Sequence, residues 1–357
     1  MKKKLLDNFS NELIKWYMTN KRDLPWRGSS NPYEIWLSEI ILQQTRISQG
    51  IEYYKKILTI YPDVYTLSKA PLDEVLKHWQ GLGYYTRARN LHTTAKIISE
   101  KYNGTFPSTW SELKKLKGIG NYTAAAIASI SFNKPVPAID GNVYRVFSRI
   151  FGIKTPINSG KAKKEFSVIA LKLFDKNAPG TYNEALMEFG ATWCTPKNPK
   201  CIQCPFHEHC YARKLNLIDI LPVKTKEKKP NNRYFNYLVI TENDYIYLKR
   251  RTTKDIWYML YDFPLIEKNK TTKPDYFLKL SELKNYFNAV PFNITGVSQI
   301  YLHKLTHQKI HARFYKFKIN VALKDKQLLK VKLKDLKKYA VPRLIDKYLK
   351  EEFSDFI

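Results

Sequence analysis

All four cysteines of this 357-residue chain fall within one short window, Cys194-x6-Cys201-x2-Cys204-x5-Cys210. A disulfide framework spreads its cysteines across loops, whereas four thiols this close in sequence point to a metal or cluster site. Four thiolates can bind a tetrahedral zinc or the four irons of a cubane cluster, and the spacing alone does not choose between them. Between the first two cysteines runs TPKNPK, with Lys197 and Lys200. A loop pinned by a metal and carrying two lysines is a candidate phosphate contact, and a solvated loop is its plain alternative.

The charge points the same way. Lys and Arg number 61 against 32 Asp and Glu, a formal net charge of +29. Residues 226–357 carry 28 basic and 14 acidic side chains, net +14, so the first 225 residues carry +15. A basic tail on a neutral body is excluded. An even excess of this size indicates a polyanionic partner, most often nucleic acid and less often an anionic membrane surface, with lysines that merely solvate the surface as the plain alternative. No apolar run is long enough to span a membrane, and the basic start at Met1–Leu6 has no apolar signal region behind it. The expectation is a soluble, intracellular, cytoplasmic protein, nucleoid-associated in a bacterium, with no membrane partner.

Two domains are expected from length and pattern. Apolar positions recur at helical spacing through Leu5–Tyr17, Tyr33–Ile60, Leu72–Trp79, Ala88–Tyr102, Ser111–Leu116, Tyr122–Phe132, Val143–Phe151, Lys161–Phe174 and Tyr182–Phe189. Short connections rich in Pro and Gly separate them, predicting a compact helical domain over 1–221. Residues 222–232 (PVKTKEKKPNN) read as a linker. Beyond it, Phe235–Thr241, Tyr245–Arg250, Ile294–Leu302 and Ala312–Val321 have strand character, with helices near Leu278–Phe287 and Pro342–Phe353. A smaller α/β domain over 233–357 follows.

Three features of the helical half carry chemistry. In LKKLKGIGNYTAAAIASISF, Gly118 and Gly120 precede a helix of small residues, making a tight hairpin whose amides can hold a phosphate oxygen. Twenty residues on, Asp140 stands in PAIDGNVYRV before a further helix, either as a simple N-cap or as a carboxylate held at a cleft. Upstream, Glu39 shares a helix face with Ile35, Trp36, Leu42 and Gln43. A carboxylate on an apolar face has its pKa raised, as a general acid near neutrality requires; an exposed glutamate at the edge of the stripe is the alternative. Asp140 in a more polar setting would complete the split pair used in glycoside chemistry.

Hairpin, aspartate and cysteine spacing together resemble the helix-hairpin-helix DNA glycosylases that carry a 4Fe–4S cluster. Within that superfamily LSEIILQQTR, GLGYYTRARNLH, AIDGNVYRV and NEALMEFGATWC are similar to the adenine DNA glycosylase family, known as MutY. The resemblance covers nearly the whole chain. It implies a mainly α helix-hairpin-helix glycosylase domain with a 4Fe–4S module held by Cys194, Cys201, Cys204 and Cys210, followed by a smaller α/β, Nudix-like lesion-recognition domain. It further implies a monomer acting on double-stranded DNA with adenine opposite 8-oxoguanine or, more weakly, guanine.

By the same resemblance Glu39 protonates the flipped adenine, Asp140 stabilises the sugar cation, and Tyr122 and Asn142 orient them. Trp26, Arg27 and Glu184 match the adenine pocket. Gln43, Gln44, Leu82 and Tyr84 match residues that fill or wedge the base stack. Leu305, Thr306 and His307 match the loop that reads 8-oxoguanine, where many relatives have Phe-Ser-His. The related endonuclease III cuts the strand through a lysine Schiff base, and Tyr122 holds that position here. Tyrosine has no amine, so base release without strand cleavage is expected. A bifunctional endonuclease III-like lyase and a non-catalytic DNA-binding cluster protein are the rivals; the second predicts loss of Glu39 or Asp140, and both are present. Nucleotide hydrolysis by the second domain is rejected, because Gly296 is its one glycine and no Glu-rich metal box follows it.

Overall fold

The computed structural model describes residues 2–225, 229–288 and 290–356, with side chains from Asn8 onward. In chain order the helices are α1 (Lys2–Asn20), α2 (Pro32–Leu42), α3 (Ile47–Ile60), α4 (Val64–Lys69), α5 (Leu72–His78), α6 (Thr86–Lys101), α7 (Trp110–Leu113), α8 (Asn121–Phe132), α9 (Gly141–Phe151), α10 (Gly160–Leu173), α11 (Pro179–Thr192), α12 (Tyr211–Lys214), α13 (Pro274–Phe277), α14 (Ser281–Phe287) and α15 (Arg343–Glu352). The strands are β1 (Asn231–Glu242), β2 (Tyr245–Arg250), β3 (Tyr261–Asp262), β4 (Leu265–Lys268), β5 (Phe292–Val297), β6 (Tyr301–Lys304), β7 (Gln308–Ile319) and β8 (Leu328–Lys332). Two compact units form: Met1–Ala70 with Asn90–Lys226, and Pro71–Arg89 with Glu227–Ile357.

In the first unit, sequence periodicity becomes packing. On α9, Val143, Val146, Phe147 and Ile150 fall at i, i+3, i+4 and i+7 and are buried. They join Phe9, Leu13 and Trp16 of α1 and Tyr182, Leu186 and Phe189 of α11 in one core. Helix α8 buries the small residues Ala124, Ala125, Ala126 and Ala128, which lets α2 and α11 pack closely against it. Asn31 caps α2, its side chain accepting from the Tyr33 amide at 3.0 Å, with Pro32 at the first helical position. The apolar run Tyr33–Ile60 is not one helix. It breaks between Leu42 and Ile47, where Gln44 is left-handed with φ 58°. Apolar spacing continued across the break because both helices bury a face, so periodicity alone could not show it.

The second unit is an eight-stranded mixed sheet with central order β3-β2-β1-β7-β5; β4 pairs with β1, β6 with β7 and β8 with β2. The long strands β1 and β7 run parallel, Tyr237 opposite Phe314. Strict alternation sorts them: Phe235, Tyr237, Val239, Ile310, Ala312 and Phe314 face the α15 side, while Leu238, Ile240, Tyr315 and Phe317 face α13 and α14. The run Ile294–Leu302 is two strands, β5 and β6, and the short β3, β4 and β8 left no clear sequence mark. Pro71–Arg89 belongs to this unit through specific bonds. Arg250 pairs with Asp73 at 2.5 Å, Gln80 donates to Asp346 at 2.9 Å, and Arg89 donates to the Tyr258 carbonyl at 2.7 Å. Helical spacing gave α5 no sign of that partner. Of the expected linker, 226–228 lie outside the described residues. Among the described residues no helix is long and apolar enough to cross a membrane.

Candidate active site and cluster loop

A cleft of about 540 Å3 opens in the first unit, lined by Trp26, Arg27, Glu39, Gln43, Gln44, Tyr122, Asp140 and Asn142, among others. Eight of the residues expected to act on the base thus meet at one place from four segments. The volume lies in the usual range for small-ligand sites. Glu184 stands behind this wall, hydrogen-bonded by Tyr17 Oη at 3.1 Å and paired with Arg27 at 3.0 Å.

Burial lifts the Glu39 pKa to about 7. A hydrogen bond from Tyr122 opposes the rise, and the negative charge of Asp140 adds to it. The apolar helix face expected from sequence is therefore the cause, with a neighbouring carboxylate reinforcing it. Asp140 is both an N-cap and a cleft carboxylate. Its Oδ1 accepts from the Val143 amide at 2.8 Å and its Oδ2 from Asn142 Nδ2 at 2.7 Å. The setting is less polar than expected, because burial raises its pKa too; the Val143, Asn142 and Arg145 donors pull the other way. Glu39 and Asp140 still differ in kind. Asp140 has donors fixed for its anion at a helix N-terminus, whereas Glu39 has one phenol.

Tyr122 begins α8, just after the hairpin. Gly118 is left-handed with φ 83°, and a Cβ there would stand 2.7 Å from that of Asn90, so only glycine suits the turn. Gly120 caps α8 with open space around it. The Tyr122 hydroxyl oxygen lies 2.7 Å from Met187 Sδ, and burial raises its pKa well above the usual phenol value. The segment leading to Asp140 is tied down by buried Asn183, which accepts from the Ala138 amide at 2.9 Å and donates to the Val136 carbonyl at 2.9 Å.

All four cysteines line one cavity with Ile150, Phe189, Trp193 and Ile218. Among the described residues no three His, Cys, Asp or Glu side chains converge where a single metal ion could sit. Zinc, with Zn–S bonds of about 2.3 Å, needs its thiolates within roughly 4 Å of one another. A cubane spreads its four cysteine ligands more widely, so the residues fit an iron–sulfur cluster better than zinc. Buried Arg149 ties the loop down, donating to the carbonyls of Thr195 at 2.6 Å, Pro196 at 3.0 Å and Leu221 at 3.0 Å. Arg145 Nε donates to the Cys194 carbonyl at 2.8 Å, and its Nη2 to Asn142 Oδ1 at 2.7 Å. Lys197 is exposed, and the ammonium of Lys200 sits 4.4 Å from the Trp193 ring centroid.

The remaining expected residues lie in the second unit. Leu305 packs against the sheet core, while Thr306 and His307 are exposed at the tip of the β6–β7 hairpin. The Leu305 amide donates to the Gln308 carbonyl at 2.8 Å across that tip. Tyr84, left-handed with φ 46°, shares a 2.9 Å hydroxyl hydrogen bond with Thr306. Leu82 is buried, 7% exposed, while its neighbour Tyr84 is exposed. The sequence reading also missed Arg22, Glu188 and Met187 in the cleft wall. One signal was available: Glu184 and Glu188 stand four apart on a helix, a like-charge pair that calls for nearby cations.

The chain is similar to known proteins along most of its length. Residues 37–170 match the HhH-GPD superfamily of base excision DNA repair proteins, 194–210 the iron–sulfur binding domain of endonuclease III, and 236–351 a NUDIX domain. The adenine DNA glycosylase of Buchnera aphidicola subsp. Acyrthosiphon pisum is 34% identical over 85% of this chain and 84% of its own length. The human adenine DNA glycosylase is 41% identical over 57% of this chain and 39% of its own. A thermostable thymine-DNA glycosylase superposes with a TM-score of 0.56 at 29% identity, covering 60% of this chain and 99% of its own. With its cleft, its cluster loop and relatives similar along most of its length, the chain belongs to the adenine DNA glycosylases, base-excision repair enzymes with a helix-hairpin-helix domain and an iron–sulfur cluster.

Proposed function

We propose that this enzyme removes adenine paired with 8-oxoguanine, and more slowly adenine paired with guanine, by hydrolysis without strand cleavage. The observation that carries the reading is one cleft holding Glu39, its pKa about 7, beside Asp140 and Tyr122. A stacked base is out of reach of any such cleft, so the adenosine is flipped into it. Glu39, protonated near neutrality, gives its proton to the departing adenine. The glycosidic bond breaks with its electron pair leaving on the base, and Asp140 stabilises the oxocarbenium-like sugar. Glu39, now a carboxylate, takes a proton from the water that attacks C1′. Asn142 holds Asp140 in place through its 2.7 Å hydrogen bond.

No amine stands at the Tyr122 position, so no Schiff base forms with the abasic sugar and the strand remains intact. The iron–sulfur cluster, held by the four cysteines, braces the loop bearing Lys197 and Lys200 for phosphate contact, as the helical hairpin at Gly118–Gly120 does through its amides. Thr306 and His307, on an exposed hairpin tip beside Tyr84, read the 8-oxoguanine on the opposite strand. Glu39→Gln tests the reading: adenine release in single turnover should fall by at least 100-fold while duplex affinity stays within about 3-fold. Retained turnover would refute the assignment.

A further inference from the structure

Along the cleft wall runs a closed array of two guanidiniums, two carboxylates and a phenol. At its centre is Glu188, 1% exposed and assigned no part in the reaction so far. Four N–H donors converge on its carboxylate. Arg22 Nε reaches Oε1 at 2.5 Å, the Arg22 amide reaches Oε1 at 3.2 Å, Arg22 Nη2 reaches Oε2 at 2.9 Å, and Arg27 Nη2 reaches Oε2 at 3.0 Å. Burial would raise its pKa, but the two arginines outweigh burial and hold it below the ordinary value. The anion is therefore permanent at working pH.

On the far side of Arg27, Nη1 donates to Tyr17 Oη at 2.7 Å and pairs with Glu184 Oε1 at 3.0 Å. Both terminal nitrogens are thus committed. The Arg27 Nε is buried and has no acceptor among the described residues. An unmatched buried donor costs free energy unless something supplies the acceptor. A guanidinium is planar, so fixing its two terminal nitrogens also fixes the plane and direction of Nε–H. Arg27 lines the cleft where the base is proposed to sit.

We infer that Glu188 is a positioning residue for base excision, acting through Arg27 by clamping its guanidinium in the cleft wall, with Arg22 as the second tether. Arg27 held in this way presents a fixed cationic group to the cleft that receives the flipped purine. This inference rests on the adenine-excision reading.

A double-mutant cycle with an independent spectroscopic arm tests it. Adenine release in single turnover is measured for wild type, Glu188→Gln, Arg27→Gln and the double variant, with duplex affinity measured alongside. Each single variant should lose about 100-fold in rate with affinity within about 3-fold, and the double variant should lose little more than Arg27→Gln alone. Multiplying losses, or a Glu188→Gln enzyme with wild-type rate, would overturn the inference. In the spectroscopic arm, the 15N-labelled Arg27 Nε–H resonance of the DNA-free holoenzyme should be protected from exchange and lose protection in Glu188→Gln. Unchanged protection would also overturn it. If Glu188→Gln fails to fold, Arg22→Gln, which removes the second tether, carries both arms with the same expectations. A wild-type enzyme that releases no adenine would refute the excision reading, while the resonance would still judge the clamp.

Discussion

At the residue scale the proposed reaction turns on Glu39. With a pKa near 7, the protonated fraction that can serve as general acid falls tenfold per pH unit above neutrality, and the rate should fall with it. On the acid side Asp140 must be anionic, and burial moves that limb upward from the ordinary aspartate value. The single-turnover rate should therefore be bell-shaped in pH, and a flat profile from pH 6 to 9 would contradict the assignment. The same shift has a stability sign. A carboxyl whose folded pKa exceeds its unfolded one contributes most below the unfolded value, and that contribution is lost as pH rises through about 7. Glu39→Gln should thus be more stable than wild type at pH 8, on the order of 1 kcal/mol once screening by cleft water is allowed for, with little difference at pH 4.5. The group needed for reaction is one the fold would be steadier without.

At the element scale, the site depends on how closely α9 and α11 approach. A Cβ on Gly190 of α11 would stand 2.5 Å from the Asn142 Cβ, and the Gly190 carbonyl accepts from Arg145 at 2.6 Å. Gly190→Ala should push Asn142 away from Asp140, costing about 1–3 kcal/mol of stability and at least tenfold in rate at saturating duplex. An alanine enzyme with normal rate would show that the contact has slack. Much of this architecture was legible in the sequence. Glu39 and Asp140 were marked by a helix face and a helix boundary, local patterns that survive without a fold, whereas Tyr122 was named by the family resemblance alone. The break after Leu42 was not, because apolar spacing runs through it. Arg22 and Glu188, 166 positions apart, meet only through tertiary packing. Leu82 was matched to residues that fill or wedge the base stack from its motif alone, and its burial depends on neighbours that the motif does not contain. In the second unit, the alternation of β1 and β7 was readable, whereas β3, with two residues, is too short to carry a period.

At the scale of the whole molecule, net charges of +15 and +14 on the two parts of the chain imply many phosphate contacts and a steep fall of duplex affinity with salt. The proposed discrimination is assigned to the second unit, where Leu305 anchors the hairpin in the core and leaves Thr306 and His307 outward. Thr306→Ala with His307→Ala should reduce the preference for 8-oxoguanine over guanine opposite adenine by roughly tenfold, about 1.4 kcal/mol, and leave the A·G rate near wild type. Undiminished preference would place lesion reading elsewhere. The central claim, hydrolytic adenine release without strand cutting, is tested most directly by single turnover on labelled A·8-oxoguanine and A·G duplexes, each analysed with and without alkaline work-up. Product should form faster from A·8-oxoguanine than from A·G, with strand breaks appearing only after alkali. Breaks of equal extent without alkali would contradict it.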